Sequence, residues 1–277
     1  MVRGVDGMSR VLAAVLLVGG LLGACGQAGP ESLLDRSTLV VGVRPDLPQI
    51  GLKRPDGQFE GFDIDVARYV ADQLGKDVRF VQALAADRIP LLTSGRADMV
   101  LATLSVTPER KTEISFAGPY YTSYQDVLVR EDERGIEDIR DLKGRRFCSV
   151  EGANPAERLR AIHGMTARLV PAKDYDECMA KIKSDAVDAI STNDVILAGL
   201  AKREGGGFRL VNARIGEQNT GIGLQKGDVR GCEALNKAIT QMYQDGTAPK
   251  LLDKWFGGTP GLDLSIIEVP QFEGCVV

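Results

Sequence analysis

Between residues 38 and 256 the chain alternates short β-rich runs with amphipathic segments that carry helix-capping signals, and this alternation constrains the fold most strongly. Residues 38–43 form a β-rich run, and residues 63–74 place apolar side chains at helical spacing. Thr107 and Pro108 mark a helix start, because threonine caps the free N–H groups and proline suits the first helical position. The alternation indicates an α/β architecture with mostly parallel sheets.

The same alternation begins again after residue 130. Asn154 and Pro155 provide the cap and first position of another helix, and Asp174 caps a further one. A chain of 277 residues is long enough for two compact lobes of roughly 100–130 residues each. We therefore expect two α/β lobes.

Composition excludes several functional classes. Hydrophobic residues make up 44% of the chain and charged residues 26%, which rules out wholesale disorder. The formal net charge of −4 argues against a nucleic-acid partner, which requires clustered basic residues. His163 is the one histidine, carries no motif, and excludes a multi-histidine metal site. No metal and no cofactor are expected.

The amino terminus has the features of an export signal. Arg3 and Arg10 precede an apolar run of about a dozen residues, which is too short to span a bilayer. Residues 22–25 resemble a bacterial lipobox. The resemblance implies that residues 1–24 are a signal peptide, and that lipidated Cys25 anchors the exported chain to the outer face of the cytoplasmic membrane. A plain signal with an incidental cysteine is the alternative.

The remaining cysteines suggest disulfides. If Cys25 is lipidated, four cysteines are left, and an even number in an exported chain favours disulfide pairing. Three pairings are possible. We expect Cys148–Cys178 and Cys232–Cys275, since each joins cysteines within one stretch of chain. The spacings are not those of a zinc site.

A series of motifs in a fixed order carries the strongest functional signal. The motifs are residues 61–66, 88–92, 95–98, 105–110, 116–121, 188–194 and 221–227. Together they resemble the polar-amino-acid-binding proteins of ABC importers, and the resemblance covers nearly all of residues 38–257. Residues 147–150, 175–178 and 196–199 resemble glutamate-binding lipoproteins of Gram-positive bacteria, including their paired cysteines.

The resemblance implies an α/β fold of the type II periplasmic-binding-protein-like class, with two lobes joined by two crossover strands and closing on ligand like a hinged clamp. The crossovers are expected near residues 125–130 and 219–224. The implied division is a linker at 25–37, a first lobe of 38–127 plus 222–277, and a second lobe of 128–221.

The resemblance also implies that Arg110 binds the ligand α-carboxylate. A guanidinium matches a carboxylate bidentately, and the first turn of a helix offers free N–H groups to an anion. Thr103 and Ser105 are expected to complete this carboxylate site.

The resemblance implies that Arg44 and Arg88 discriminate among ligands. Members of the family that bind aspartate or glutamate have arginines at such positions for the side-chain carboxylate of the ligand. Three arginines in one cleft require at least two negative charges to offset their repulsion, and a dicarboxylic amino acid supplies them. The alternative for Arg44, which precedes Pro45, is exposure to solvent.

The second lobe is expected to complete the site. Ala153 and Asn154 occupy the loop that offers backbone N–H groups to the ligand, and Tyr175 falls where relatives place a polar side chain. Asn193 stands where the family normally has the aspartate that binds the ligand ammonium group. Either the adjacent Asp194 takes that role, or the ligand differs from an ordinary α-amino acid.

The expected function is capture of glutamate or aspartate, with asparagine and glutamine as further candidates, and delivery to an ABC permease with its ATPase. The protein is expected to be a monomer without enzymatic activity. One alternative is a lipoprotein that signals amino-acid supply to a membrane sensor. Another is a cyclohexadienyl-dehydratase-like lyase on the same scaffold, for which Glu151 is a candidate general acid.

Overall fold

A computed structural model describes residues 31–164, 167–262, 264, 270–272, 274 and 275. The expected signal peptide and the lipidation site at Cys25 lie outside these residues. The strands are β1 (Thr38–Val43), β2 (Asp46–Leu47), β3 (Gly51–Lys53), β4 (Phe59–Glu60), β5 (Asp77–Gln82), β6 (Met99–Leu101), β7 (Ile114–Arg130), β8 (Arg146–Val150), β9 (Arg168–Ala172), β10 (Ala189–Asn193), β11 (Phe208–Leu210) and β12 (Glu217–Gln225).

The helices begin and end close to the expected capping residues. They are α1 (Phe62–Gln73), α2 (Arg88–Thr93), α3 (Pro108–Glu113), α4 (Pro155–His163), α5 (Tyr175–Lys183), α6 (Asp194–Glu204), α7 (Val229–Gln244) and α8 (Thr247–Phe256). The Thr107 side chain accepts from the Arg110 N–H and the Asp174 side chain from the Glu177 N–H, as expected of N-caps. Asn154 precedes α4 without a side-chain capping bond.

The main sheet runs in the order β5-β1-β6-β12-β7-β10-β8-β9, with β11 beside β7. Pairing is parallel between β1 and its neighbours β5 and β6, and between β8 and its neighbours β9 and β10. Strand β12 is antiparallel to both β6 and β7, and β7 is antiparallel to β10. The sheet is therefore mixed in its centre and parallel toward both ends, which corrects the expectation of mostly parallel pairing.

Two strands cross between the halves of the sheet, which confirms the two-lobed class. Strand β7 pairs with β12 through its first half, and with β10 and β11 through its second. Strand β12 extends to β6, where Gly223 and Leu224 face Val100 and Met99. The lobe boundaries given above stay a prediction.

An accessory sheet of three strands, β2-β3-β4, was not expected from the sequence. It is short and antiparallel, and it brings Asp46 opposite Leu52. Beside it, Phe62 packs against the rings of Tyr121 and Phe256, with ring centroids 5.3 Å apart in both pairs. All three aromatic side chains are buried.

Both expected disulfides are present. Cys148–Cys178 ties β8 to α5 across 30 residues, and Cys232–Cys275 ties α7 to the carboxyl-terminal segment across 43 residues. In the described part of the chain, no helix combines the length and the hydrophobicity needed to cross a membrane.

Candidate ligand-binding site

A cavity lies where the ends of β1, β6 and β10 meet the starts of α2, α4 and α5. Its lining consists of Arg44, Ala85, Arg88, Thr103, Ser105, Arg110, Ala153, Asn154, Pro155, Tyr175, Thr192, Asn193, Ile196 and Gln218.

Arg44 follows β1 and is buried, not exposed to solvent. Its Nε lies 2.8 Å from Oδ1 of Asp46 and its Nη2 lies 2.6 Å from Oδ2, so the pair is bidentate. The Arg44 guanidinium carbon also lies 5.6 Å from the ring centroid of Tyr175. Asp46 therefore already balances the charge of Arg44, and sequence reasoning missed this partner.

Arg88 begins α2 and is held by backbone carbonyls. Its Nε donates to Ala85 O, its Nη1 to Ala102 O and Thr103 O, and its Nη2 to Gly152 O, over distances of 2.9–3.1 Å. These bonds occupy four of the five guanidinium N–H groups. Burial, together with the charges of Arg110 and Arg44, lowers the pKa of Arg88 well below its usual value, so an anion nearby is electrostatically favourable.

Arg110 lies in α3, where the Thr107 cap fixes its backbone. Its Nη1 donates to Ser105 O at 2.8 Å and its Nη2 to Gly152 O at 3.2 Å. Burial lowers the pKa of this guanidinium too. With two N–H groups used in the described structure and three left, Arg110 retains more donors for a ligand carboxylate than Arg88 does.

Gly152 receives hydrogen bonds from both arginines across the cavity. Its φ is +74°, and a Cβ added there would lie 2.6 Å from the Cα and the N of Ala86. The position thus requires glycine both for its backbone conformation and for the close approach of two chain segments.

Thr103 has an unusual backbone, with φ of +50°. Such a conformation is strained for a β-branched residue. Its N–H donates to Oδ2 of Asp63 at 3.2 Å, and its hydroxyl donates to Ala102 O at 2.7 Å. The Thr103 groups that sequence reasoning assigned to the ligand are therefore partly occupied within the protein.

The opposite wall is polar and tightly held. The Tyr175 hydroxyl lies 2.7 Å from Oγ1 of Thr192, and Nδ2 of Asn193 donates to Oγ of Ser123 at 2.9 Å. Ala153 and Asn154 line the cavity at the start of α4. The structure therefore brings these expected residues to the same cavity as the three arginines.

Asp194 and Glu151 are not among the described residues that line the cavity. The Asp194 carboxylate accepts from the Val195 N–H, and burial raises its pKa to about 6. Glu151 is exposed. The lining residues that sequence reasoning missed include Thr192, Ile196 and Gln218; Gln218 directly precedes an expected crossover, and that position was the available signal.

The lining contains three guanidinium groups and, among the described residues, no carboxylate. The described chain also holds no cluster of His, Cys, Asp and Glu side chains suited to a metal ion. Chemically, the guanidinium groups favour an anionic group in the cavity, and the polar side chains of the lining can form further hydrogen bonds to the same molecule.

Residues 39–258 match the model of the bacterial extracellular solute-binding proteins, family 3. The chain belongs to this family. Glutamate-binding protein GluB of Corynebacterium glutamicum is 34% identical over 94% of this chain and 96% of its own length. The glutamine-binding protein GlnH of Bacillus subtilis is 31% identical over 90% of this chain and 95% of its own length.

Solved structures of the family agree with the fold. An ancestral arginine-binding protein bound to glutamine has a TM-score of 0.75 and 31% identity, over 80% of this chain and 99% of that one. The ancestral amino-acid-binding protein AncCDT-1, a precursor of cyclohexadienyl dehydratase, has a TM-score of 0.73 and 31% identity, over 82% and 100% of the two chains. As a family 3 solute-binding protein, the chain is an extracytoplasmic amino-acid-binding component of ABC transport.

Proposed function

We propose that this protein is a lipid-anchored solute-binding protein that captures an acidic amino acid, glutamate or aspartate, and delivers it to an ABC import permease. Asparagine and glutamine are the next candidates for the ligand. The lobes 38–127 plus 222–277 and 128–221 would close around it.

One observation carries the proposal: Arg44, Arg88 and Arg110 line one cavity, and only Arg44 has a carboxylate partner at hydrogen-bond distance in the described structure. Two guanidinium charges therefore remain to be balanced by ligand. The two carboxylates of glutamate or aspartate supply two negative charges. The name of the similar GluB protein supports glutamate.

The experiment is calorimetric titration of the purified protein against the twenty amino acids, after bound ligand is removed by unfolding and refolding. We expect selective binding of glutamate or aspartate. Arg110→Ala should weaken glutamate binding by at least about 30-fold, because loss of one partner of a desolvated charged pair costs about 2–5 kcal/mol.

Arg96→Ala is the matched control, since Arg96 is exposed outside the cavity lining. It should bind like the wild type. Equal affinity of the wild type for glutamine and glutamate would refute acidic selectivity.

The anchor is tested separately. Cys25→Ser should release the exported protein into the medium of producing cells, because no thiol would remain for lipidation. Uptake of labelled ligand by a strain lacking the protein separates transport from sensing: restored uptake on re-expression supports transport, and unchanged uptake contradicts it.

A further inference from the structure

Gln218 combines burial, a place in the cavity lining and an unsatisfied acceptor. It lies in the crossover strand β12 and is 3% exposed. Within the described part of the chain, its Oε1 has no hydrogen-bond partner. A buried polar atom without a partner is costly, and its occurrence at a ligand cavity points to a partner supplied by the ligand.

The orientation of the Gln218 amide is set by its neighbour Gln125. Nε2 of Gln218 lies 3.5 Å from Oε1 of Gln125. Gln125 is itself fixed, since its Nε2 donates to Pro155 O and to Oγ of Ser191, both at 3.0 Å. Reversal of Gln218 would bring two amide oxygens together, so Oε1 remains the end of the Gln218 amide that lacks a partner.

The residues around Gln218 make this wall of the cavity an uncharged acceptor site. In the sheet, Gln218 faces Ser123, which accepts the N–H of Asn193. One of the two N–H groups of Nδ2 is engaged in this way, and the amide oxygen of Asn193 is a further neutral acceptor. No carboxylate lines the cavity among the described residues. A nitrogen of the ligand would therefore meet neutral oxygens at this wall.

We propose that Gln218 is a specificity-determining residue that accepts an N–H from the α-nitrogen of the bound amino acid. The inference rests on the proposed function in that the ligand is an amino acid. Two guanidinium groups bind its carboxylates, and Gln218 binds its nitrogen. Because the acceptor is a neutral amide, this site binds an ammonium group less strongly than a site with a carboxylate acceptor would.

The test compares glutamate with glutarate, which has the same two carboxylates and no nitrogen. In Gln218→Leu the acceptor is lost. We expect about tenfold weaker binding of glutamate, the cost of one unsatisfied polar group, and a change of less than about threefold for glutarate. Gln241→Leu on the exposed surface of α7 is the matched control and should leave both affinities unchanged.

Gln218→Glu gives a second, independent readout. The new carboxylate should attract the ammonium group and repel the dianion, which raises the ratio of glutamate to glutarate affinity by about tenfold. Thermal unfolding monitors the folding of each variant. If Gln218→Leu does not fold, Gln218→Glu decides, and an unchanged ratio overturns the inference.

The outcomes separate this inference from the proposed function. If Gln218→Leu weakens glutamate and glutarate by the same factor, the role of Gln218 is wrong while acidic selectivity stands. If the wild type prefers glutamine, acidic selectivity fails, and the same comparison with glutamine and its amine-free analogue decides the role of Gln218. If the wild type binds no amino acid, both proposals fail.

Discussion

At the scale of single residues, the pair Arg44–Asp46 determines how much charge the cavity presents. The Arg44 side chain is 1% exposed and that of Asp46 is 8% exposed, so both ions are removed from water. Their bidentate contact offsets part of that desolvation. The remaining guanidinium groups, on Arg88 and Arg110, are bound by carbonyl oxygens, which orient them without neutralising their charge.

Arg44→Ala should lower the free energy of unfolding by about 3–5 kcal/mol, because it leaves Asp46 buried without its ionic partner. Chemical denaturation measures the change. The control is Arg54→Ala: Arg54 and Asp56 have the same spacing and also pair, but both are exposed, so no measurable change is expected. Equal free energies of unfolding for Arg44→Ala and Arg54→Ala would show that the buried Arg44–Asp46 pair does not stabilise the fold.

At the scale of elements, Asp63 connects helix α1 with the segment after β6 and with strand β7. It lies in the first turn of α1, accepts from the Thr103 N–H after β6, and accepts from the Tyr120 hydroxyl of β7 at 2.7 Å. Burial raises the pKa of Asp63 to about 7, against opposing effects of these hydrogen bonds and of Arg44 and Arg88. Asp63 thus holds the strained Thr103 backbone in place.

This pKa predicts a pH-dependent stability. Since the folded state binds the Asp63 proton more tightly than the unfolded state, the free energy of unfolding should fall as pH rises from about 4 to 7. The shift corresponds to a contribution on the order of 4 kcal/mol. Asp194, whose pKa burial raises to about 6, acts in the same direction.

Denaturation at several pH values should give a shallower slope for Asp63→Asn than for the wild type. Asp72→Asn, on the exposed surface of α1, is the control and should keep the wild-type slope. If Asp63→Asn also keeps the wild-type slope between pH 4 and 7, Asp63 is not the titrating group.

The disulfide Cys148–Cys178 stabilises the second half of the sheet by joining β8 to α5, the helix that begins with Tyr175. Replacing both cysteines by alanine should lower the free energy of unfolding by about 3–4 kcal/mol, because the unfolded chain regains the entropy of a loop spanning 30 residues. The measurement is denaturation under non-reducing conditions. If reductant destabilises the double variant as much as the wild type, the effect of reductant does not arise from Cys148–Cys178.

At the scale of the whole molecule, two glycines permit close contact between the halves of the sheet. Gly152 meets the backbone of Ala86, and an added Cβ on Gly199 would lie 2.7 Å from the carbonyl oxygen of Pro48. Larger side chains at either position would separate these segments. The two glycines are therefore suited to the closed arrangement of a hinged binding protein.

Gly152→Ala should weaken ligand binding by about tenfold or more, because its Cβ would clash with Ala86 and move the shared carbonyl away from Arg88 and Arg110. Calorimetric titration measures the affinity, and X-ray scattering with and without ligand measures compaction. Gly144→Ala is the matched control, since Gly144 has the same φ of +74° with no atom within 4 Å of the added Cβ.

Both variants should lose about 1–2 kcal/mol of stability from the positive φ alone. Only Gly152→Ala should lose affinity. Wild-type affinity in Gly152→Ala would contradict a role of this contact in closure.

Much of the local structure could be predicted from the sequence. Thr107 and Asp174 begin helices as their capping chemistry requires. The spacing of apolar and β-branched residues predicted the bounds of α1 and β1 to within one residue. The accessory strands β2–β4 were missed because they are two or three residues long, too short for a hydrophobic period. Among the site residues, Arg88 and Arg110 followed from motif order, whereas Asp46 and Gln218 did not.

The sequence by itself determined the α/β class and several helix starts, because these depend on local spacing and residue chemistry. Through the family resemblance it also led to the arginines that line the cavity, and the expected cysteine pairs were one of three possible pairings. Only the tertiary structure decided which charges remain available. Asp46 reaches Arg44 through the accessory sheet, and Gly152 reaches both other arginines from a distant part of the chain. Burial strengthens these contacts, because water no longer competes for the same hydrogen bonds.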